Sequence, residues 1–168
     1  GFLHDLLKKD YRLGSSFIIL RYDCLKRPST AKHSKAVLLM LKHMNPNWRK
    51  PFFSFKAEEK SLTIHGKNFH KMTHRVENYR AWGGLKDIRP SALWGLHLKS
   101  LDVSHTSIAD LRELNDLQLQ ELNICHSEIK DLSELSQMKS LKRLYISPGV
   151  FSAQALNSLP KSIQVIEK

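Results

Sequence analysis

Leu98-Lys99-Ser100-Leu101-Asp102-Val103-Ser104-His105-Thr106-Ser107-Ile108 is followed by two more copies of the same pattern. The second is Leu119-Gln120-Glu121-Leu122-Asn123-Ile124-Cys125-His126-Ser127-Glu128-Ile129. The third is Leu141-Lys142-Arg143-Leu144-Tyr145-Ile146-Ser147-Pro148-Gly149-Val150-Phe151, and Ile163 to Lys168 opens a fourth. The steps Leu101 to Leu122, Leu122 to Leu144 and Leu144 to Ile166 are 21, 22 and 22 residues. A fixed period of that size is the mark of stacked units, each too small to bury its apolar face alone. Within each copy the LxL triplet predicts a short strand with its two apolar residues inward and the middle one outward. At Thr106, Ser127 and Gly149 a small residue suits a turn, and Ile108, Ile129 and Phe151 return to the core.

Between the strands the chain has apolar residues every three positions: Leu111, Leu114, Leu117, then Leu132, Leu135, Met138. That spacing predicts 3₁₀ or short helical returns. Asp110, Asp131 and Ser152 are placed to cap them, and Pro160 closes the third.

The pattern LxxLxLxxTxIxDLxxLxxL resembles bacterial leucine-rich repeats, such as those in the non-kinase parts of large bacterial serine/threonine kinases. The resemblance implies an α/β leucine-rich-repeat solenoid with short parallel strands and a mixed α/β N-terminal cap. It extends upstream with weaker matches. Gly84 to Pro90 and Leu93 to Leu96 resemble a return segment, Val76 to Ala81 a degenerate strand centred on Tyr79, and Ser61 to Phe69 a first strand, with a loop over His70 to Arg75. The expected division is a cap over 1–58 and repeats over 59–168, degenerate to 97 and regular from 98. No kinase motif is present: there is no Gly-rich loop, HRD or DFG.

In the cap, Phe2, Leu3, Leu6 and Leu7 have helical spacing, and Ser16 to Tyr22 reads as a strand or buried segment. Thr30 to Met44 predicts a helix, capped by Ser29 or Thr30 and ended by Asn45-Pro46-Asn47. Ala36, Val37, Leu39, Met40, Leu41 and Met44 are its expected core face. The order of helix, NPN and strand over Leu38 to Trp48 is similar to segments ahead of the repeats in those bacterial proteins. Trp48 to Phe55 then leads into the first strand.

Charge divides the chain at the same place. The first 97 residues carry +12, while 98–168 hold 8 Lys/Arg against 9 Asp/Glu, for a net charge of +11. Basic residues interleaved with Trp48, Phe52 and Phe53 are compatible with nucleic acid or an anionic surface, although no nucleic-acid motif accompanies them. Cys24 and Cys125 form no CxxC and read as free thiols, which favours a reducing, cytoplasmic setting. The longest apolar runs are well short of the ~20 residues of a membrane helix. The chain starts with Gly rather than Met, so a fragment or tag remnant of a longer, even membrane-anchored, protein is expected.

Nine histidines raise the question of metal. His65, His70 and His74 have spacings of five and four with no Cys or carboxylate motif, so they read as solvated loop histidines and no metal or cofactor is expected. The functional expectation rests on outward strand positions that stack into columns on a concave face: Ser100, Asp102, Ser104; Glu121, Asn123, Cys125; Arg143, Tyr145, Ser147; Val165, Glu167. His105 and His126, one repeat apart, should stack as a ladder at its edge, read either as repeats preserving position types or as a protonation-sensitive binding edge. Asp102, His105, Glu121, Asn123, His126, Arg143 and Tyr145 are the candidate protein-binding residues, with Arg and Tyr the types enriched at hot spots. The expected function is non-catalytic binding of another protein.

Overall fold

The computed structural model describes residues 31–73, 91–114 and 117–168. The expected helix at Phe2 to Lys9, the segment Ser16 to Tyr22, the caps Ser29 and Thr30, Cys24, the strand at Val76 to Ala81 and the return at Gly84 to Pro90 lie outside them. Among the described residues no helix is long and apolar enough to cross a membrane.

The first element, α1 (Ala31–Met44), presents Val37, Met40 and Leu41 to the core at zero exposure. Ala36, Leu38 and Met44 are partly buried against the same core. Leu39 was expected to face inward and instead is 41% exposed. At 100° per residue it stands about 200° from Val37, on the opposite face of the helix.

Asn45 ends the helix and does more than stop it. Its side chain is 1% exposed. Its Nδ2 donates to Leu41 O and Lys71 O, both at 2.8 Å, while Oδ1 accepts from His70 N and Lys71 N, both at 3.0 Å. The amide thus joins the helix end to a segment 26 residues later with all its capacity used. Glu113 holds the other side of that segment, accepting from Met72 N and Thr73 N at 2.7 Å each. Asn45→Ala orphans two amide hydrogens and a carbonyl contact. It should therefore cost about 2–4 kcal/mol, each abandoned buried group costing ~1–3, as read by urea unfolding of the full chain.

The fold is α/β with few helices and one six-stranded, mostly parallel sheet. Its strands are β1 (Phe52–Lys56), β2 (Ser61–His65), β3 (Ser100–Asp102), β4 (Glu121–Asn123), β5 (Arg143–Ile146) and β6 (Gln164–Glu167), hydrogen-bonded in that order. Trp48 to Phe55 was expected only to lead into the first strand. The structure makes Phe52–Lys56 a strand of its own, antiparallel to β2, and all later pairings are parallel.

Leu62, Leu101, Leu122 and Leu144 are direct neighbours across β2 to β5. All four are at most 1% exposed, as are Ile64, Val103 and Ile146 beside them. The same backbone join recurs between strands: Gln120 N donates to Lys99 O, Lys142 N to Gln120 O and Gln164 N to Lys142 O, at 2.7–2.9 Å. The chain returns through 3₁₀ turns at Leu111–Leu114 and Ser133–Gln137 and the short helix α2 (Ala153–Asn157). Leu111, Leu114, Leu117, Leu132, Leu135 and Met138 are buried there, so one side of the sheet is covered.

The polar residues at the returns act locally. Asp110 Oδ1 accepts from Arg112 N at 2.9 Å and Asp131 Oδ1 from Ser133 N at 2.8 Å, while Ser152 Oγ accepts from Ala155 N at 3.2 Å at the start of α2. Hydrogen bonding to Ser133 holds the Asp131 carboxyl below the usual carboxylate range. Thr106 Oγ1 donates to Val103 O at 2.6 Å, closing the turn after β3.

β2 pairs directly with β3. One expectation about strands needs correction. At the far end, β6 pairs Leu144 with Val165 and Tyr145 with Ile166. The last step is therefore 21 residues, not 22, and the outward residues are Gln164 and Ile166 rather than Val165 and Glu167. Alternation explains the choice: Ile163 and Val165 share one parity, and this register lets both pack on the core.

Candidate functional site

The uncovered side of the sheet carries three columns of side chains, read across the strands from the register. The first is Lys56, Ser61, Ser100, Glu121, Arg143, Gln164, and the second is Ser54, Thr63, Asp102, Asn123, Tyr145, Ile166. Continuing the strands by alternation gives the third: Phe52, His65, Ser104, Cys125, Ser147, Lys168.

Glu121, Arg143 and Tyr145 come together at the β4–β5 end. Arg143 Nη2 donates to Glu121 Oε1, and Tyr145 OH lies 3.5 Å from Glu121 Oε2. Lys168 Nζ sits 3.9 Å from the centre of the Tyr145 ring, a cation–π contact. The Glu121 hydrogen bond and charge raise the Arg143 pKa above its ordinary value. This cluster sets a planar cation, a phenol and a carboxylate side by side on one accessible patch.

Asp102 and Asn123 have a structural task as well. Asp102 Oδ1 accepts from Ser104 N at 2.9 Å, and Asn123 Oδ1 from Cys125 N at 3.1 Å. These matching turns bend the chain out of β3 and β4. Ser104, Cys125 and Ser147 were expected to be exposed and are instead 5%, 5% and 8% exposed. They sit where the chain turns over the sheet edge. Ser147 Oγ accepts from His126 N at 2.8 Å. Burial first, then the Asp102 charge, pushes the Cys125 thiol up, which disfavours the reactive thiolate.

His105 and His126 are both exposed, and their rings stack at 4.6 Å with planes 21° apart. Both have left-handed backbones, at φ 55° and 56°. That conformation costs a residue with a side chain about 1–2 kcal/mol, and His tolerates it better than most. His65 extends the row: its ring meets His105 edge-on at 6.0 Å and stacks on Phe52 at 5.5 Å. His65 Nε2 lies 3.0 Å from Ser104 Oγ and 3.3 Å from Asp102 Oδ1. Among the described residues no three metal-ligating side chains converge.

His65, Phe52 and Lys168 are the members sequence reasoning missed. His65 was grouped with His70 and His74 by spacing and read as a loop residue. Aligning Leu62 and Ile64 with Leu101 and Val103 would have placed it beside Ser104.

Beyond the row a shallow polar groove of about 610 Å³ is lined by Asn47, Arg49, Asn68, His70, Ser107 and Glu128. It adjoins the turns that carry His105 and His126. Comparison with protein-family models, with curated proteins and with solved structures finds no match to this chain.

Proposed function

We propose that this chain is a leucine-rich-repeat solenoid that acts as a non-catalytic protein-interaction module, with the uncovered, concave side of its sheet as the binding face. The observation that carries the reading is the Glu121–Arg143–Tyr145–Lys168 patch, gathered from β4, β5 and the residue that follows β6 on the side that no return segment covers. Rigid strands hold these side chains in fixed columns, which limits the ordering cost of binding. A 21–22 residue spacing with Leu122 and Leu144 in register supports the solenoid.

The charge of the first 97 residues favours a second reading, in which nucleic acid or an anionic surface binds the basic N-terminal region. Salt separates the two, because phosphate-driven binding weakens steeply with ionic strength. In a pull-down from native lysate at moderate salt, a partner protein should be retained by the full chain. It should be reduced at least tenfold with Arg143→Ala/Tyr145→Ala, since each anchor lost at a hot spot costs ~2 kcal/mol or more. Recovery of nucleic acid alone, unaffected by the variant, points to the N-terminal region instead.

A further inference from the structure

The imidazole row is not explained by packing. His105 and His126 are exposed and hold left-handed backbones at equivalent places, so neither ring is kept there by burial. Glycine or asparagine is the ordinary choice for such a turn. The two rings face each other at 4.6 Å, and neither has an ion-pair partner among the described residues.

We propose that His65, His105 and His126 form a contact site for an acidic segment of the bound protein, with affinity that rises as pH falls through the ordinary histidine range. The proposal rests on the concave-face reading and names the chemistry of its partner. Two stacked neutral imidazoles sit comfortably face to face. Once protonated they repel, and a carboxylate beside them relieves that repulsion. The groups around the row leave room for one. From β3, Asp102 contacts His65, and no contact joins it to His105 or His126. After β4, the Cys125 thiol is pushed up by burial, which disfavours its charged form. Just after β6, Lys168 lies at the end of the same column and adds a positive charge. The adjoining groove is lined by Arg49 and His70 and by one carboxylate, Glu128.

The face itself also carries Asp102 and Glu121, a mixture that suits carboxylates on a peptide better than a continuous phosphate backbone, which needs permanent cations along its length. A bound carboxylate favours the protonated imidazoles, so the gain in binding is present on the acid side of the ordinary histidine range and is lost as pH rises. Below about pH 4.3 the partner's own glutamates become protonated and the gain disappears.

The test uses the full chain and a labelled octaglutamate peptide, with an oligothymidylate of equal charge as the comparator. Binding of the peptide should be about tenfold tighter at pH 6.0 than at pH 8.0, the effect of one combined pKa unit of proton uptake. His105→Asn/His126→Asn, which keeps a residue that tolerates the left-handed turn, should reduce that ratio to about twofold or less. Circular dichroism of the variant checks its fold. The proposal is overturned if the peptide does not bind, if the histidine variant keeps the full ratio, or if the oligothymidylate binds at least as tightly with the same pH ratio. The concave-face reading fails separately, when the Arg143/Tyr145 variant still captures the partner protein.

Discussion

Leu122→Ala should lower the unfolding free energy by about 2–5 kcal/mol, the range for removing a leucine from a packed core that only partly collapses. Leu122 has zero exposure and lies between Leu101 and Leu144 on the flanking strands. A cavity there loosens contacts with two neighbours at once, so relaxation on one side cannot fill it. Urea unfolding of the full chain reads the loss as a lower midpoint. An unchanged midpoint contradicts the inward placement of the leucine column.

Gly66→Ala should be as damaging, at about 2–6 kcal/mol, for a different reason. Gly66 has φ 127°, a conformation that side chains rarely adopt. An added Cβ would lie 2.5 Å from Trp48 Nε1, 2.6 Å from Arg49 O and 2.9 Å from Lys50 O. Two of these are backbone atoms that cannot swing away. Trp48 Nε1 also donates to His65 O at 2.9 Å, and its ring packs on Phe69 at 4.7 Å. Backbone strain of ~1–3 kcal/mol and overpacking of ~1–3 kcal/mol act together. Since Trp48 anchors the segment before β1 to the end of β2, its fluorescence should change with the same transition. A variant with native stability and native Trp48 emission contradicts the close approach at this glycine.

The parts of the fold written in apolar periodicity were readable, and those set by parity or distant partners were not. Leu101, Leu122 and Leu144 stand in register as their spacing implies, because each LxL triplet offers inward positions two residues apart. At β6 the sequence offered both Val165 and Ile166, and only the pairing with Leu144 and the placement of Ile163 decide between them. Leu39 looked like core because it lies in an apolar run, yet the helical angle turns it outward. Asn45 was legible as a helix stop but not as a clamp, since its partners at His70 and Lys71 lie far along the chain.

The candidate site divides in the same way. The column positions Asp102, Glu121, Asn123, Arg143 and Tyr145 follow from strand alternation. The third column was misjudged because the turns after each strand bury Ser104, Cys125 and Ser147. His105 and His126 stack as their equal offsets suggested. His65 joins them because β2 pairs with β3 across a 39-residue separation, which no local spacing announces.

The most direct test of the central claim is hydroxyl-radical footprinting of the full chain, alone and with its captured partner. Binding through the concave face predicts protection of Tyr145, His105, His126 and Phe52, with Leu39 on the far side of α1 unchanged. Protection confined to the basic N-terminal region, with Tyr145 and both histidines as reactive as in the free chain, would contradict it.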